Sequence, residues 1–164
     1  MPANLLVAAG GTGGHLYPAL AVAEQFISLA KNASVTFVGT ERGLESKIVP
    51  RAGFPLEFVR AAPFRGGSIC RKLKGVLATV PAIMDAVNLL RRIQPTVVMG
   101  VGAYVSGAVL LVAALKRLPT LILEPNAEPG LANRWLGPFV DEAACAWQET
   151  VRYFGRKRVV TAIP

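Results

Sequence analysis

The sequence has 164 residues, 52% hydrophobic and only 17% charged, which excludes a disordered chain and sets the expectation of one domain with a real core. Lys and Arg number 18 against 10 acidic residues, a formal charge of +8, so an anionic partner is expected: nucleic acid, anionic lipid or a phosphorylated substrate. The two cysteines, Cys70 and Cys145, give neither a disulfide framework nor a metal-ligand spacing, and read as reduced thiols of a cytosolic protein.

The start, Met1 to Ala9, is apolar but lacks the basic region of a signal peptide. Within it Leu5 to Ala9 reads as a buried strand that ends at glycines. Ala19 to Leu29 follows as a helix, with Leu20, Ala23, Phe26 and Ile27 on one face. Ser34 to Val38 is a second strand, Leu44 to Val49 a short helix stopped near Pro50, and Leu56 to Val59 a third strand. A basic, glycine-containing loop then leads into a long helical region ending near Arg92. Thr96 to Met99 is a strand, followed by a helix through Lys116. Thr120 to Leu123 is another strand, then a short helix spans Leu131 to Leu136. Glu142 to Ala146 and Arg158 to Thr161 complete the strand candidates. Continuous apolar strands with intervening helices predict a doubly wound, mostly parallel α/β sheet, with ligands at the carboxyl ends of the strands. The longest uncharged stretch, Pro95 to Leu115, is broken by Gly100, Gly102 and Gly107, so no membrane span is expected.

Gly10-Gly11-Thr12-Gly13-Gly14-His15 follows the first strand. Glycines let the backbone approach a ligand, and the following helix offers free N–H groups, which together predict a diphosphate cradle. Pro18 fits an early helical turn. A dinucleotide loop matches poorly, because its third glycine falls on Leu16, and no Gly-Lys-Ser/Thr follows for a P-loop. Glu41 keeps a ribose-binding reading open. His15, the sole histidine, stands beside a helix N-terminus, a setting that favours a neutral imidazole suited to general base or hydrogen-bond donor.

A second glycine loop, Met99 to Gly107, repeats the logic and adds the hydroxyls of Tyr104 and Ser106. Glu124 and Asn126 follow the next strand, where a sheet-top ligand would sit, while Asn133 is expected to cap or pack. Ile69, Leu73, Val76, Leu77 and Val80 recur at helical spacing, with Arg71, Lys72 and Lys74 among them: an amphipathic basic helix that can lie on anionic lipid, or an ordinary helix with a core stripe. The late cluster Arg156-Lys157-Arg158 adds charge or forms a solvated turn. No helix-turn-helix, zinc-finger or RNA-binding signature is present and aromatics make up 7%, so nucleic acid is not expected.

Gly10 to His15, continuing as Tyr17-Pro18-Ala19-Leu20-Ala21-Val22-Ala23, resembles the opening of the MurG family. Gly39-Thr40, Glu45 through Pro50, Gly53, the second glycine loop and the segment from Glu124 to Leu136 resemble that family in order. The family usually has Gly where Ala103 stands, and His and Gln where Leu123 and Pro125 stand. The resemblance implies the N-terminal Rossmann-like half of a GT-B glycosyltransferase, residues 1–164, without the C-terminal domain that binds UDP-N-acetylglucosamine. It implies inverting transfer of N-acetylglucosamine to lipid I, giving lipid II in peptidoglycan synthesis, at the cytoplasmic face of the cell membrane. In that frame His15 is the candidate base, with Tyr104, Glu124 and Asn126 orienting the acceptor sugar. Gly11, Thr12, Gly13, Gly14, His15, Gly102, Ala103, Tyr104 and Ser106 hold its diphosphate. The segment Ile69 to Leu77 corresponds to the family's membrane-association patch. No cofactor and no metal is expected, and the isolated chain is expected to be inactive. The alternatives are the acceptor-binding subunit of a split glycosyltransferase, a non-catalytic module for lipid-linked diphosphates, and a nucleotide-binding oxidoreductase fragment.

Overall fold

The computed structural model describes the backbone of residues 2–61, 69–155 and 159–161, and the side chains of these except 69–78. The described strands are β1 (Asn4–Ala8), β2 (Ser34–Gly39), β3 (Leu56–Phe58), β4 (Val97–Gly100), β5 (Thr120–Glu124), β6 (Glu142–Cys145) and β7 (Val159–Thr161). They form one sheet in the order β3-β2-β1-β4-β5-β6-β7, parallel throughout. The chain therefore starts at the centre, winds outward through β3, and crosses to β4 on the other side of β1. The connections diverge between β1 and β4, and this topological switch point is where doubly wound sheets bind ligands.

Helices cover both faces because both faces of each central strand are apolar. On β1, Leu5 and Val7 point to one face and Leu6 and Ala8 to the other. The first face packs on α1 (Gly13–Leu29) through Leu16, Ala19, Leu20 and Ala23, and on α2 (Glu45–Arg51) through Val49. The second face packs on α3 (Ile69–Ile93), α4 (Ala103–Leu115) and α5 (Leu131–Leu136) through residues such as Ala86, Leu90, Val109, Leu110 and Leu136. A short 3-10 helix, Gln148–Tyr153, precedes β7.

The predicted elements and their order are all present. One boundary differs by two turns. Helix α1 begins at Gly13 rather than Ala19, so the glycine run is itself the first helical turn. Glycine costs roughly 1 kcal/mol in a helix, and burial of Leu16 and Ala19 on the sheet outweighs it. Pro18 consequently falls in the second turn, where it cannot bond the Gly14 carbonyl.

None of the described helices is long and apolar enough to cross a membrane. The backbone of Ile69 to Leu77 is helical, as the first part of α3. The side chains of Ile69, Arg71, Lys72, Leu73, Lys74, Val76 and Leu77 lie outside the described residues, as do Arg156, Lys157 and Arg158.

Candidate active site

The first glycine loop leaves β1 and enters α1 with Thr12 as N-cap. Gly11 takes φ 92, a left-handed conformation in which glycine carries no penalty. Gly13 and Gly14 lie at the first two helical positions, so their N–H groups have no intrahelical acceptor. No acidic side chain occupies that turn. This leaves the positive end of α1 open to an anion.

His15 follows at the third position, half-buried, with both ring nitrogens engaged. Nδ1 lies 3.1 Å from the Thr12 hydroxyl. Nε2 lies 3.4 Å from Nδ2 of Asn126, a long contact. The Asn126 amide donates at 2.9 Å to Oε1 of Glu124, an oxygen that accepts. Its nitrogen, not its oxygen, therefore faces His15. An N–H pointing at Nε2 requires a lone pair there, which puts the imidazole proton on Nδ1, donating to Thr12. The basic nitrogen is thus Nε2.

Glu124 is the hub of this arrangement. It ends β5 and is fully buried. Oε1 accepts from the backbone N–H and the amide of Asn126, at 3.0 and 2.9 Å. Oε2 accepts from the Gly130 N–H at 3.2 Å and the Asn133 amide at 2.9 Å. All four partners are N–H donors, as a buried carboxylate without a cation requires. Cys145, its register partner on β6, is also buried. Burial first, and the Glu124 charge second, push its thiol up to about 11, so it stays a neutral thiol.

The second glycine loop meets the first at the imidazole. Gly102 has φ 97, and a Cβ there would sit 3.0 Å from Cδ2 and 3.1 Å from Nε2 of His15. The loop can approach the ring only as glycine. Ala103 beside it has φ 65, left-handed for a residue with a side chain. A Cβ on Gly11 would lie 3.6 Å from the Ala103 methyl, so the two loops touch. Ser106, expected among the diphosphate ligands, is fully buried. Its hydroxyl donates to the Ala8 carbonyl at 2.7 Å, with the Gly102 carbonyl as a second close acceptor. It ties α4 to the end of β1, because its single proton is spent on the backbone.

Tyr104 stands elsewhere. It packs partly on the core of the second face and lines a cleft of 930 Å³ beyond the carboxyl ends of β2 and β3. The sites predicted around one ligand therefore divide. Gly11, Thr12, Gly13, Gly14, His15, Gly102, Ala103, Glu124 and Asn126 converge at the switch point, and Tyr104 reaches from the second loop into the neighbouring cleft. Glu41, the ribose candidate, lines the cleft too.

Sequence reading missed three supports. Thr150, fully buried, donates to the Asn126 and Ala127 carbonyls at 2.9 Å each, and Trp147 donates to the Pro125 carbonyl at 3.1 Å. These hold the loop that carries Asn126, from a segment more than 20 residues away, and no local pattern signals them. Glu45 is buried under the first loop, its Oε1 accepting from the Thr40 N–H and hydroxyl at 2.8 and 3.0 Å. Side chains at Gly39 or Gly43 would collide with it. The Thr12–His15 pair is a side chain–side chain contact at i, i+3, and Thr12 makes no side-chain cap bond to the backbone.

The architecture is that of a Rossmann-like half of a GT-B glycosyltransferase, with two glycine loops and a buried carboxylate at the switch point. Residues 5–145 match the glycosyltransferase family 28 N-terminal domain, and the chain belongs to that family. It is 46% identical over 156 residues to the UDP-N-acetylglucosamine--N-acetylmuramyl-(pentapeptide) pyrophosphoryl-undecaprenol N-acetylglucosamine transferase of Anaeromyxobacter sp. (strain Fw109-5), covering 95% of this chain and 41% of that protein. The protein of the same name from Thermoanaerobacter sp. (strain X514) is 45% identical, with 97% and 44% covered. The crystal structure of Acinetobacter baumannii MurG superposes with a TM-score of 0.82 at 30% identity, covering 97% of this chain and 45% of that one. The chain thus spans less than half the length of these relatives. A UDP-GlcNAc 2-epimerase from Neisseria meningitidis shares the fold alone, with a TM-score of 0.67 at 11% identity.

Proposed function

We propose that this chain is the acceptor-binding half of an inverting glycosyltransferase that moves N-acetylglucosamine from UDP-N-acetylglucosamine to lipid I, giving lipid II. The observation that carries the reading is His15 held at the open N-terminus of α1 with its Nε2 lone pair at the loop junction, engaged only by the long 3.4 Å contact from the Asn126 amide. The acceptor diphosphate sits against the Gly13 and Gly14 N–H groups. The acceptor hydroxyl takes the place of the long Asn126 contact at Nε2, which accepts its proton as the oxygen bonds the donor's anomeric carbon. The bond from that carbon to the UDP oxygen breaks, and the diphosphate departs with the electron pair. Glu124 touches no reacting atom in this scheme; it aims Asn126, which fixes the tautomer of His15. The donor is held by a second domain, and the protein works as a peripheral enzyme on the cytoplasmic face of the membrane. The basic first part of α3 rests on anionic lipid.

Binding of a soluble, short-chain lipid I analogue to the chain tests this reading. Saturable binding is expected, weakened about tenfold or more by His15→Ala and falling with salt. Absence of saturable binding by the unaltered chain would sink it, and so would equal affinity of the two proteins.

A further inference from the structure

The 930 Å³ cleft beside the second glycine loop has no role in the scheme above. Small-ligand sites run to about 300–1,000 Å³, so it is far larger than one sugar or one carboxylate needs. It lies at the same edge of the sheet as the loop junction, between the segments that follow β2 and β3 and the helices α3 and α4. Tyr104, two residues after the glycine that touches His15, forms part of its wall, so the cleft adjoins the site.

Its lining is mixed. Val59 and Leu89 are buried apolar residues, while Glu41, Arg42 and Asn88 are exposed. Two guanidinium groups are already committed. Arg60 holds Asp85 through Nε at 2.9 Å and through a terminal nitrogen at 2.8 Å. Arg92 holds Glu57 at 3.0 and 2.7 Å. Arg42 has no carboxylate partner among the described residues. No glycine lines the cleft among the described residues, which therefore offer none of the close backbone approach that a diphosphate uses. Fixed charges of both signs, a guanidinium with no carboxylate partner among the described residues and apolar walls suit a peptide with free carboxylates.

We propose that this cleft receives the peptide of the acceptor, with Arg42 taking a peptide carboxylate. The inference rests on the acceptor reading above, and deepens it. The names of the relatives describe an acceptor with an N-acetylmuramyl-(pentapeptide) group. Muramyl is an acyl group, so its peptide is attached by the amino end and keeps a carboxylate at the other. With the diphosphate on the first loop and the sugar at His15, the cleft is the adjoining space large enough for the peptide.

Two soluble short-chain analogues of the acceptor, one with the pentapeptide and one without, would be titrated against the unaltered chain and Arg42→Ala. Arg42 is exposed, so its loss should not perturb folding. The unaltered chain should bind the peptide-bearing analogue about tenfold more tightly. Arg42→Ala should weaken that analogue about fivefold and leave the peptide-free one unchanged. Equal affinity of the unaltered chain for both, or equal weakening of both by Arg42→Ala, would overturn the proposal while leaving the acceptor reading intact. Muramyl pentapeptide without diphosphate separates the reverse case in an amide NMR titration. Shifts at Arg42, Arg60 and Asn88, with Gly13 and Gly14 unmoved by either diphosphate analogue, would support the cleft and remove the diphosphate reading. No shift in the cleft with any of the three probes removes the cleft.

Discussion

Two polar regions lie side by side at the carboxyl edge of this sheet, and they are built on opposite plans. At the switch point, a fully buried carboxylate, Glu124, is held by four N–H donors and by no cation among the described residues. In the cleft, two arginines of the lining hold carboxylates, Arg60 the lining Asp85 and Arg92 the neighbouring Glu57, with the Arg60 side chain 72% exposed and that of Arg92 63% exposed. The first plan fixes geometry, because every donor lost is a buried group left unsatisfied. The second gives a charged but soft surface, where water and salt compensate for a lost partner. A site that sets a tautomer needs the first plan, and a site that accommodates a flexible chain can use the second.

The largest effect should follow Glu124→Gln. The variant keeps the shape but turns one acceptor into a donor, so at least one pair of N–H groups loses its partner in a dry site. At about 1–3 kcal/mol for each unsatisfied group, a loss of about 3 kcal/mol in urea unfolding is expected. Nitrogen-15 NMR of the imidazole should also show the Nδ1–H tautomer in the parent and a mixture in the variant. A loss below about 1 kcal/mol with an unchanged tautomer would show that the network does not set His15.

A smaller effect of opposite sign tests the second glycine loop. Ala103 sits at φ 65, where a Cβ costs about 1–2 kcal/mol. Ala103→Gly removes that strain but gives the unfolded chain about 0.4–1 kcal/mol of extra freedom. The net expectation is stabilisation by roughly 0.5 kcal/mol, read from the denaturation midpoint. Destabilisation by this change would mean that the turn into α4 is not left-handed in solution.

These two residues also show what sequence can and cannot carry. The succession of strands and helices along the chain was legible because parallel strands buried on both faces are short apolar runs, as in Leu5 to Ala8 and Val97 to Met99. Glu124 and Asn126 stood out as polar residues following a strand, and His15 as the sole histidine at the helix N-terminus after a glycine loop. That Glu124 is buried and accepts from Asn126, Gly130 and Asn133 was not, because these donors come from the loop after β5 and from α5 folding back on it. Ser106 misled for the same reason: a hydroxyl beside a glycine loop reads alike whether it faces solvent or the Ala8 carbonyl. The start of α1 was misplaced because glycine propensity is local, while the packing that overrides it spans Leu16, the sheet and α2.

The smallest effect belongs to the cleft, and its pH dependence has a definite sign. Hydrogen bonding to Arg60 holds the Asp85 carboxyl below the ordinary carboxylate value. A depressed folded-state pKa contributes stability that is present above the unfolded value of about 3.9 and is lost as pH falls through the folded value. Asp85→Asn should therefore be less stable than the parent by under about 1 kcal/mol at neutral pH, since the Arg60 side of the pair is exposed. The difference should hold constant down to about pH 5 and vanish in the acid range below about pH 4. High salt should shrink it at any pH. A difference that survives full acidification would mean that Asp85 acts by filling space against Arg60 rather than by its charge, and the cleft would then be as rigid as the corner beside it.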